Sequence, residues 1–349
     1  MTRHRKHRAA SGRRSRLVLR PFAAVLLVLS LFCAGCEKPK QEEAKLTAAL
    51  QPVSICRSSV MHQLLLVAED QGYFTAQGLT VTTKEFVVGR EALESMLKGE
   101  CDFATAAEPP VVDFALQRGD FRILSALITS DNLSCLAARA DRGIATPADL
   151  RGKRIATVKG TAPHYFLTLF LERHGIDLKE VSVDFQKGDA VLPAITSGQV
   201  DAIAMTTRVA NQARQALGAN GVLMEEPGLY RNFYSLLTTN SLLEKRPGLA
   251  LQLLKALAQA EELIQENPGK AQAIISASLQ IPPAEAEKAM GMFEQHLSLD
   301  HAMLIGMEDI ARWYIQQSDN PNRPLPNMLR LIDTSPLRAV RPKAVGLTR

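Results

Sequence analysis

From about residue 48 onward, short apolar runs alternate with segments whose apolar positions recur every three or four residues. Residues 53–56 read as a short strand. Met61, Leu64, Leu65 and Ala68 then share one helical face that stops at Gly72. Residues 80–83 and Val87-Val88 read as extended, and residues 92–97 as a helix closed by Gly99. Residues 103–106 read as a strand, and residues 109–116 as a helix with proline in its first turn. Strand alternating with helix predicts parallel sheet and α/β architecture. From Leu249 the pattern changes. Ala250, Leu253, Leu254, Leu257 and Leu263 mark a helix over 249–263, broken by Asn267-Pro268-Gly269. Residues 282–296 and 304–317 follow as amphipathic helices, with no strand pattern in competition. This third is expected to pack as a helical layer, and the basic tail beyond Ser335 to be poorly ordered.

A fragmentary repeat sharpens the picture. Gly89, Leu93, Gly99 and Asp102 recur in the same register as Gly188, Leu192, Gly198 and Asp201, with Met96 answered by Ile195. One unit is used twice: loop, helix, glycine stop, strand. Two similar α/β lobes with a cleft between them follow.

The chain has 349 residues and a net charge of +5. That charge misleads. Arg3, Arg5, Lys6, Arg8, Arg13, Arg14, Arg16 and Arg20 lie in a leader without acids, and the remainder carries a slight acidic excess. Nucleic acid is therefore not the expected partner. The basic region is followed by an apolar stretch over 21–32, shorter than the ~20 residues of a transmembrane helix. Cys33-Ala34-Gly35-Cys36 comes next and is similar to a lipobox, in which Cys36 is lipidated and becomes the first mature residue. Residues 1–35 are thus expected to be a lipoprotein signal peptide and 36–47 a charged tether. Cys56, Cys101 and Cys135 remain. Their odd number makes no disulfide framework, and they read as small buried hydrophobes.

Enzyme signatures are missing: the chain has no GxSxG, Walker A, GxGxxG or HExxH pattern, and its histidines show no metal spacing. No catalytic residue, cofactor or metal is expected. The paired carboxylates Glu225-Glu226 and Glu261-Glu262 read as solvated surface charge. The informative places are strand-to-helix junctions. In one, a strand ends near Val158, Gly160 allows a tight turn, and Thr161 is placed to cap the helix that follows. Free N–H groups at such a turn favour an anion. Ser58-Ser59-Val60-Met61-His62, Gly89-Arg90 and Ala107-Glu108-Pro109 are further junctions, and Gly188-Asp189 and Thr206-Thr207-Arg208 add those of the second repeat. In open α/β sheets all of them face the crevice at the carboxyl ends of the strands.

The segments AEDQGYFTAQGLTV, LKGECDFATA, ADLRGKRIATVKGTAPHYFLTLFLERHGI, ITSGQVDAIA and ENPGKAQ occur in that order. Through them the span from Val53 to about Gln317 resembles the solute-binding proteins of the nitrate/sulfonate/taurine transport group, the thiamine-precursor-like family. The resemblance implies a type II periplasmic-binding fold, two Rossmann-like lobes joined by two hinge strands. The repeat, one unit on each side of Asp131, and the C-terminal helices that must cover the first sheet place lobe I at 48–130 and 240–345 and lobe II at 131–239. The resemblance also implies that Gly160, Thr161, Ala162 and His164 grip an oxyanion, with Ser58, Ser59 and Glu108 lining the first lobe; the junctions themselves add His62 on the first lobe and Thr206 and Arg208 on the second. Sulfonate-binding relatives often carry an aromatic-acidic-proline cluster where this chain has Met205-Thr206-Thr207-Arg208. The expected protein is a monomeric, exported, membrane-anchored receptor that hands a small anion to ABC permease subunits of the inner membrane. The alternatives are a sensor lipoprotein and a pyrimidine-precursor-binding or synthase-like protein of the same fold.

Replacing Cys36 by Ser is expected to release the chain from membranes or leave it uncleaved. Membrane fractionation and the mass of the mature N-terminus check this.

Overall fold

The computed structural model describes residues 49–58 and 63–347. The expected leader, the tether, Cys36, Ser59 and His62 lie outside the described residues. The strands are β1 (Gln51–Ser58), β2 (Leu79–Phe86), β3 (Phe103–Ala106), β4 (Phe121–Ser130), β5 (Ser134–Arg139), β6 (Arg154–Thr157), β7 (Ser182–Phe185), β8 (Ala202–Thr206), β9 (Gly221–Met224), β10 (Asn232–Thr239) and β11 (Glu294–Ser298). The helices are α1 (Gln63–Asp70), α2 (Tyr73–Ala76), α3 (Gly89–Leu97), α4 (Glu108–Ala115), α5 (Ala162–Arg173), α6 (Gly188–Thr196), α7 (Thr207–Leu217), α8 (Asn240–Lys245), α9 (Leu249–Glu266), α10 (Pro268–Leu279), α11 (Pro283–Gly291), α12 (His301–Gln316) and α13 (Ser335–Val340).

The strands form two sheets. One has six strands in the order β11-β4-β10-β3-β1-β2, and the other has five in the order β7-β6-β8-β5-β9. The chain passes between them twice, from β4 to β5 and from β9 to β10. β10 lies beyond the second passage and is bonded to β3 and β4. The expected lobe boundary after residue 239 would separate it from these partners. In each sheet the repeat units give parallel pairs, β1 with β3 and β6 with β8. All four residues of β3 and all five of β8 are buried. Both sheets are thus covered on two faces, as parallel sheet requires.

The repeat has a physical explanation. Gly99 and Gly198 follow α3 and α6 at φ +82° and +81°, a left-handed stop that a side chain would strain. Asp102 and Asp201 then play the same role twice. Asp102 accepts the Ser54 N–H of β1 at 2.8 Å, and Asp201 accepts the Arg154 N–H of β6 at 2.9 Å. Each carboxylate ties the start of its strand to the parallel neighbour.

Four expectations are corrected. Residues 282–296 are not one helix: α11 ends at Gly291, and β11 joins the edge of the six-stranded sheet. Its burial alternates at Gln295 and Leu297 against Glu294 and His296, a strand period that the helical reading passed over. The tail beyond Ser335 is ordered, with α13 docked through Leu337 and with Leu347 buried. Glu261 is not solvated charge but fully buried. Arg341 Nη1 lies 2.9 Å from one of its oxygens and His296 Nδ1 3.0 Å from the other. The tail is fastened by this buried charge. Finally, Cys56 and Cys101 are bonded to each other, with Cα atoms 5.8 Å apart. Cys56 lies on β1 and Cys101 two residues before β3, the parallel neighbour of β1, a proximity that residue counting does not reveal. Cys135 is buried and free.

Arg341→Ala would leave Glu261 buried with only the His296 ring as a charge partner. A loss of about 3 kcal/mol is expected, seen as a melting temperature lower by roughly 5–10 °C. Glu262→Ala, which removes an exposed partner of the same Arg341, is expected to change stability by less than about 1 kcal/mol.

Candidate functional site

Parallel strands end on the same edge of their sheet, so the helices that follow begin there. Ser58, Gly89 and Glu108 occupy that edge of the six-stranded sheet, and Gly160, Gly188 and Thr206 that of the five-stranded sheet. The two edges face each other. The Arg90 guanidinium approaches the Gly160 carbonyl at 3.5 Å, and the Gly188 N–H points at Glu91 Oε1 at 3.4 Å. Glycines 89 and 188, equivalent in the repeat, open the two helices that meet here. A side chain at Gly188 would press on Val87, its Cβ only 3.0 Å from the valine Cβ.

The helix α12 lies along the junction. A Cβ on Gly306 would sit 3.9 Å from Glu108 Oε1. One step of seven residues later, about 10 Å along the axis, Trp313 stacks edgewise on Tyr165 at 5.1 Å and His164 at 5.0 Å. Tyr314 follows, its hydroxyl beside Gly160. Tyr165 in turn meets Tyr230 at 5.0 Å. Aromatic rings from α5, α12 and the β9–β10 passage therefore line one continuous wall.

Glu108 opens α4 and is 2% exposed. Its Oε2 accepts the Tyr230 hydroxyl at 2.9 Å, and Oε1 has no hydrogen-bond partner. Burial pushes its pKa up to about 7, against the opposing pull of its own N–H, the Phe233 N–H and Tyr230.

The turn after β6 has the expected glycine at φ +71°. A Cβ there would land on the Arg90 guanidinium. The cap at Thr161 is a correction. Its hydroxyl donates to the Val158 carbonyl at 2.7 Å and bonds no N–H of α5. At φ −118° and ψ 168° the residue is extended, and its hydroxyl turns back onto the preceding strand. The first-turn N–H groups of α5 therefore gain no side-chain acceptor from Thr161. His164 is buried, and its Nδ1 accepts the Gly160 N–H at 3.2 Å. Burial first, then Lys159, lowers its pKa to about 4. It is a neutral imidazole with its proton on Nε2.

Ser58 is buried and hydrogen-bonds Tyr234. Ala162 begins α5. Thr206 ends β8 with a buried hydroxyl that has no partner, whereas Arg208 is exposed on α7 and has no ion pair among the described residues. Ser59 and His62 cannot be placed, being outside those residues. Ser134 Oγ, Asn132 Oδ1 and Asn232 Oδ1, at or beside the two passages between sheets, are also buried without partners, as are Trp313 Nε1 and Tyr314 Oη. Buried polar atoms are satisfied in most proteins, and each orphan costs about 1–3 kcal/mol. Their concentration at one junction marks a site built for something more. Sequence reasoning missed Tyr165, Tyr230, Trp313 and Tyr314. The adjacent Trp313-Tyr314 pair on an amphipathic helix was the one available signal.

Comparison with known proteins agrees with this geometry. A family described as NMT1/THI5 like matches residues 59–271, more than half of the chain. A Bacillus subtilis protein provisionally named an aliphatic sulfonates-binding protein is 25% identical over 203 residues, covering 56% of this chain and 60% of the relative. The alkanesulfonate-binding protein SsuA of Xanthomonas axonopodis pv. citri, solved with MOPS, superposes with a TM-score of 0.67 at 19% identity, over 82% of this chain and 99% of that one. The desulfurization enzyme DSZB shares the architecture at a TM-score of 0.56 and 16% identity, over 83% and 98%. The fold alone thus does not decide between binding and catalysis.

The raised pKa of Glu108 has a definite sign in stability. The folded chain holds this proton more tightly than the unfolded one, so its contribution is full below pH 4.5 and is lost as pH rises to about 7. The loss is about 3 kcal/mol. Denaturant titrations across that window should show it in the natural protein and not in Glu108→Gln.

Proposed function

The chain belongs to the NMT1/THI5 like family, and on that premise we propose that it is a substrate-binding protein of an ABC importer, exported and held at the membrane by lipid on Cys36. In this reading the chain forms two lobes, one built on the elements up to β4 together with those from β10 onward, the other on the elements between the two passages. The ligand lies where the strand edges meet. It is a small organic anion, and a sulfonate is the class that the relatives' names favour.

The observation that carries this reading is the row of buried, unpartnered polar atoms at the facing edges, next to the open N-terminus of α5. An oxyanion there meets first-turn N–H groups, the positive end of the helix dipole and the Lys159 ammonium. Lys159 makes no ion pair among the described residues and lies 5.8 Å from the Phe185 ring. Pro163 sits in the first turn, where its missing N–H removes no needed donor. The Thr161 hydroxyl is already engaged, so the backbone rather than that side chain supplies the grip.

The site's charged groups favour binding over turnover. The neutral His164 has a backbone N–H on its Nδ1, and among the described residues no hydroxyl or thiol hydrogen-bonds its ring. Contacts on both edges draw the lobes together when the ligand is present.

Calorimetry with short alkanesulfonates and nitrate tests the proposal. Gly160→Val, which forces a branched side chain into a positive φ and onto Arg90, is expected to weaken a bound sulfonate at least ten-fold, or about 1.4 kcal/mol. Binding of neutral solutes with no response to any anion would overturn the reading.

A further inference from the structure

We propose that the chain has a second binding site, remote from the facing strand edges, that takes the phosphate group of a small polyol phosphate. It lies where the tail docks beside the start of β4, with Arg122 and Arg330 as its cationic residues. Its occupancy does not depend on the ligand of the cleft.

The tail makes the site. Ile332 forms a parallel bridge with Ile123 of β4, and the Asp333 N–H donates to the Ile123 carbonyl at 3.0 Å. The single turn Met328–Leu331 just before it is pinned by its buried Met328 and Leu331. A cavity of about 360 Å³ opens beside this segment, and its polar lining is Arg122, Asn327, Arg330, Asp333 and Thr334. Arg122 is the second residue of β4, and Ser130, eight residues later, ends the strand at the first passage. Eight residues of extended strand span roughly 27 Å. The cavity thus sits at the far end of β4 from the cleft.

Its side chains hold unspent donors. Arg122 donates from Nη1 to the Gly119 and Phe121 carbonyls at 2.8 and 2.7 Å, which fixes the guanidinium and leaves Nε and Nη2 over. Asn327 accepts the Leu329 N–H on Oδ1 at 3.0 Å, so its amide nitrogen is left. Arg330 and Thr334 make no side-chain hydrogen bond among the described residues, and neither arginine has an ion pair there. Asp333 is the one acid of the lining. It accepts the Ser335 N–H on Oδ1 at 3.0 Å and keeps Oδ2.

This donor set selects a chemistry. Each guanidinium presents paired N–H groups that match the oxygens of one acid group. A carboxylate or sulfonate brings a single negative charge to two arginines. A phosphate monoester brings about −1.5 to −2 at neutral pH and three strong acceptor oxygens, so it is the charge match. Asp333 repels a bare anion, and an ionised carboxylate oxygen only accepts. The other end of the ligand must therefore donate to it, and a hydroxyl does so without adding charge. Leu329, Ile332 and Leu347 complete the lining, Ile332 and Leu347 being buried. Apolar walls strengthen the charge pairing and suit the C–H faces of a short carbon chain. A polyol phosphate has the dianion, the hydroxyls and the chain between them.

Calorimetry of the purified chain with glycerol 3-phosphate, inorganic phosphate and glycerol tests this, together with sedimentation on phosphatidylglycerol vesicles. Glycerol 3-phosphate is expected to bind about five-fold or more tighter than inorganic phosphate, with glycerol inert. Arg330→Ala should weaken it about ten-fold or more. Arg330 is exposed, so the melting temperature should hold. Arg214→Ala, which removes an exposed arginine of α7, should change binding by less than about two-fold. Asp333→Asn should bring the two phosphates within about two-fold of each other without weakening inorganic phosphate. Gly160→Val, the cleft variant, should leave glycerol 3-phosphate binding as it is; its loss there would put the ligand in the cleft and overturn the second site. Equal losses in Arg330→Ala and Arg214→Ala would reduce the effect to diffuse attraction by positive charge and overturn it too. Arg330-dependent binding of vesicles with no binding of glycerol 3-phosphate would assign the cavity to a lipid headgroup and overturn the polyol class. If no phosphate binds, the second site falls, whatever the cleft takes.

Discussion

Everything in this molecule follows from one constraint: parallel strands place the starts of their following helices on a single edge. A β-strand that ends at a sheet edge must turn into a helix whose first N–H groups have no partners. This chain does it in both sheets and then sets the two edges against each other. The contacts at the join pair backbone on one edge with side chains on the other: the Gly160 carbonyl near Arg90, and the Gly188 N–H near Glu91. A side chain at Gly89 would press on Ala106 and one at Gly188 on Val87, a close approach that favours glycine at the start of both helices. A cleft lined by helix N-termini is the electrostatic product of this topology rather than of any one residue.

On that background the buried carboxyl of Glu108 stands out. Its Oε2 accepts the Tyr230 hydroxyl, and its Oε1 is buried without a hydrogen-bond partner. The neutral His164 stands at the other end of the aromatic wall, its Nδ1 bonded to the very turn that opens α5. The passages between sheets carry further orphan acceptors at Asn132 and Asn232. Polar groups left unsatisfied in a closed arrangement lower its stability, and a ligand that satisfies them shifts the balance toward closure.

The architecture was largely readable in the chain, because Gly99 and Gly198 punctuate helices in the same register and Asp102 and Asp201 follow them. Those residues do local, repeated work, and local work leaves periodic traces. What escaped was long-range. β11 was hidden inside an apolar helical pattern, and only its pairing with β4 gives it a strand partner. The burial of Glu261 depends on Arg341, eighty residues away along the chain. The Cys56–Cys101 bond depends on strand adjacency. In the site, the Gly160 turn was legible from one strand-turn-helix sequence. The aromatic wall was not, since Tyr165, Tyr230 and Trp313 come from three separate segments and share no pattern. The Thr161 hydroxyl was misassigned because its extended backbone suits a cap, and the choice between capping α5 and bonding the Val158 carbonyl lies in the direction its side chain takes.

The chain contains a single tryptophan. It is Trp313, whose indole lies between the rings of Tyr165, His164 and Tyr314, with its N–H buried and unpaired. Light absorbed at the red edge of the protein's spectrum is therefore absorbed in the cleft wall and nowhere else. The molecule carries its own optical probe at the place where its two halves meet. The colour and polarisation of that emission report the polarity and rigidity of the junction, undiluted by any other indole.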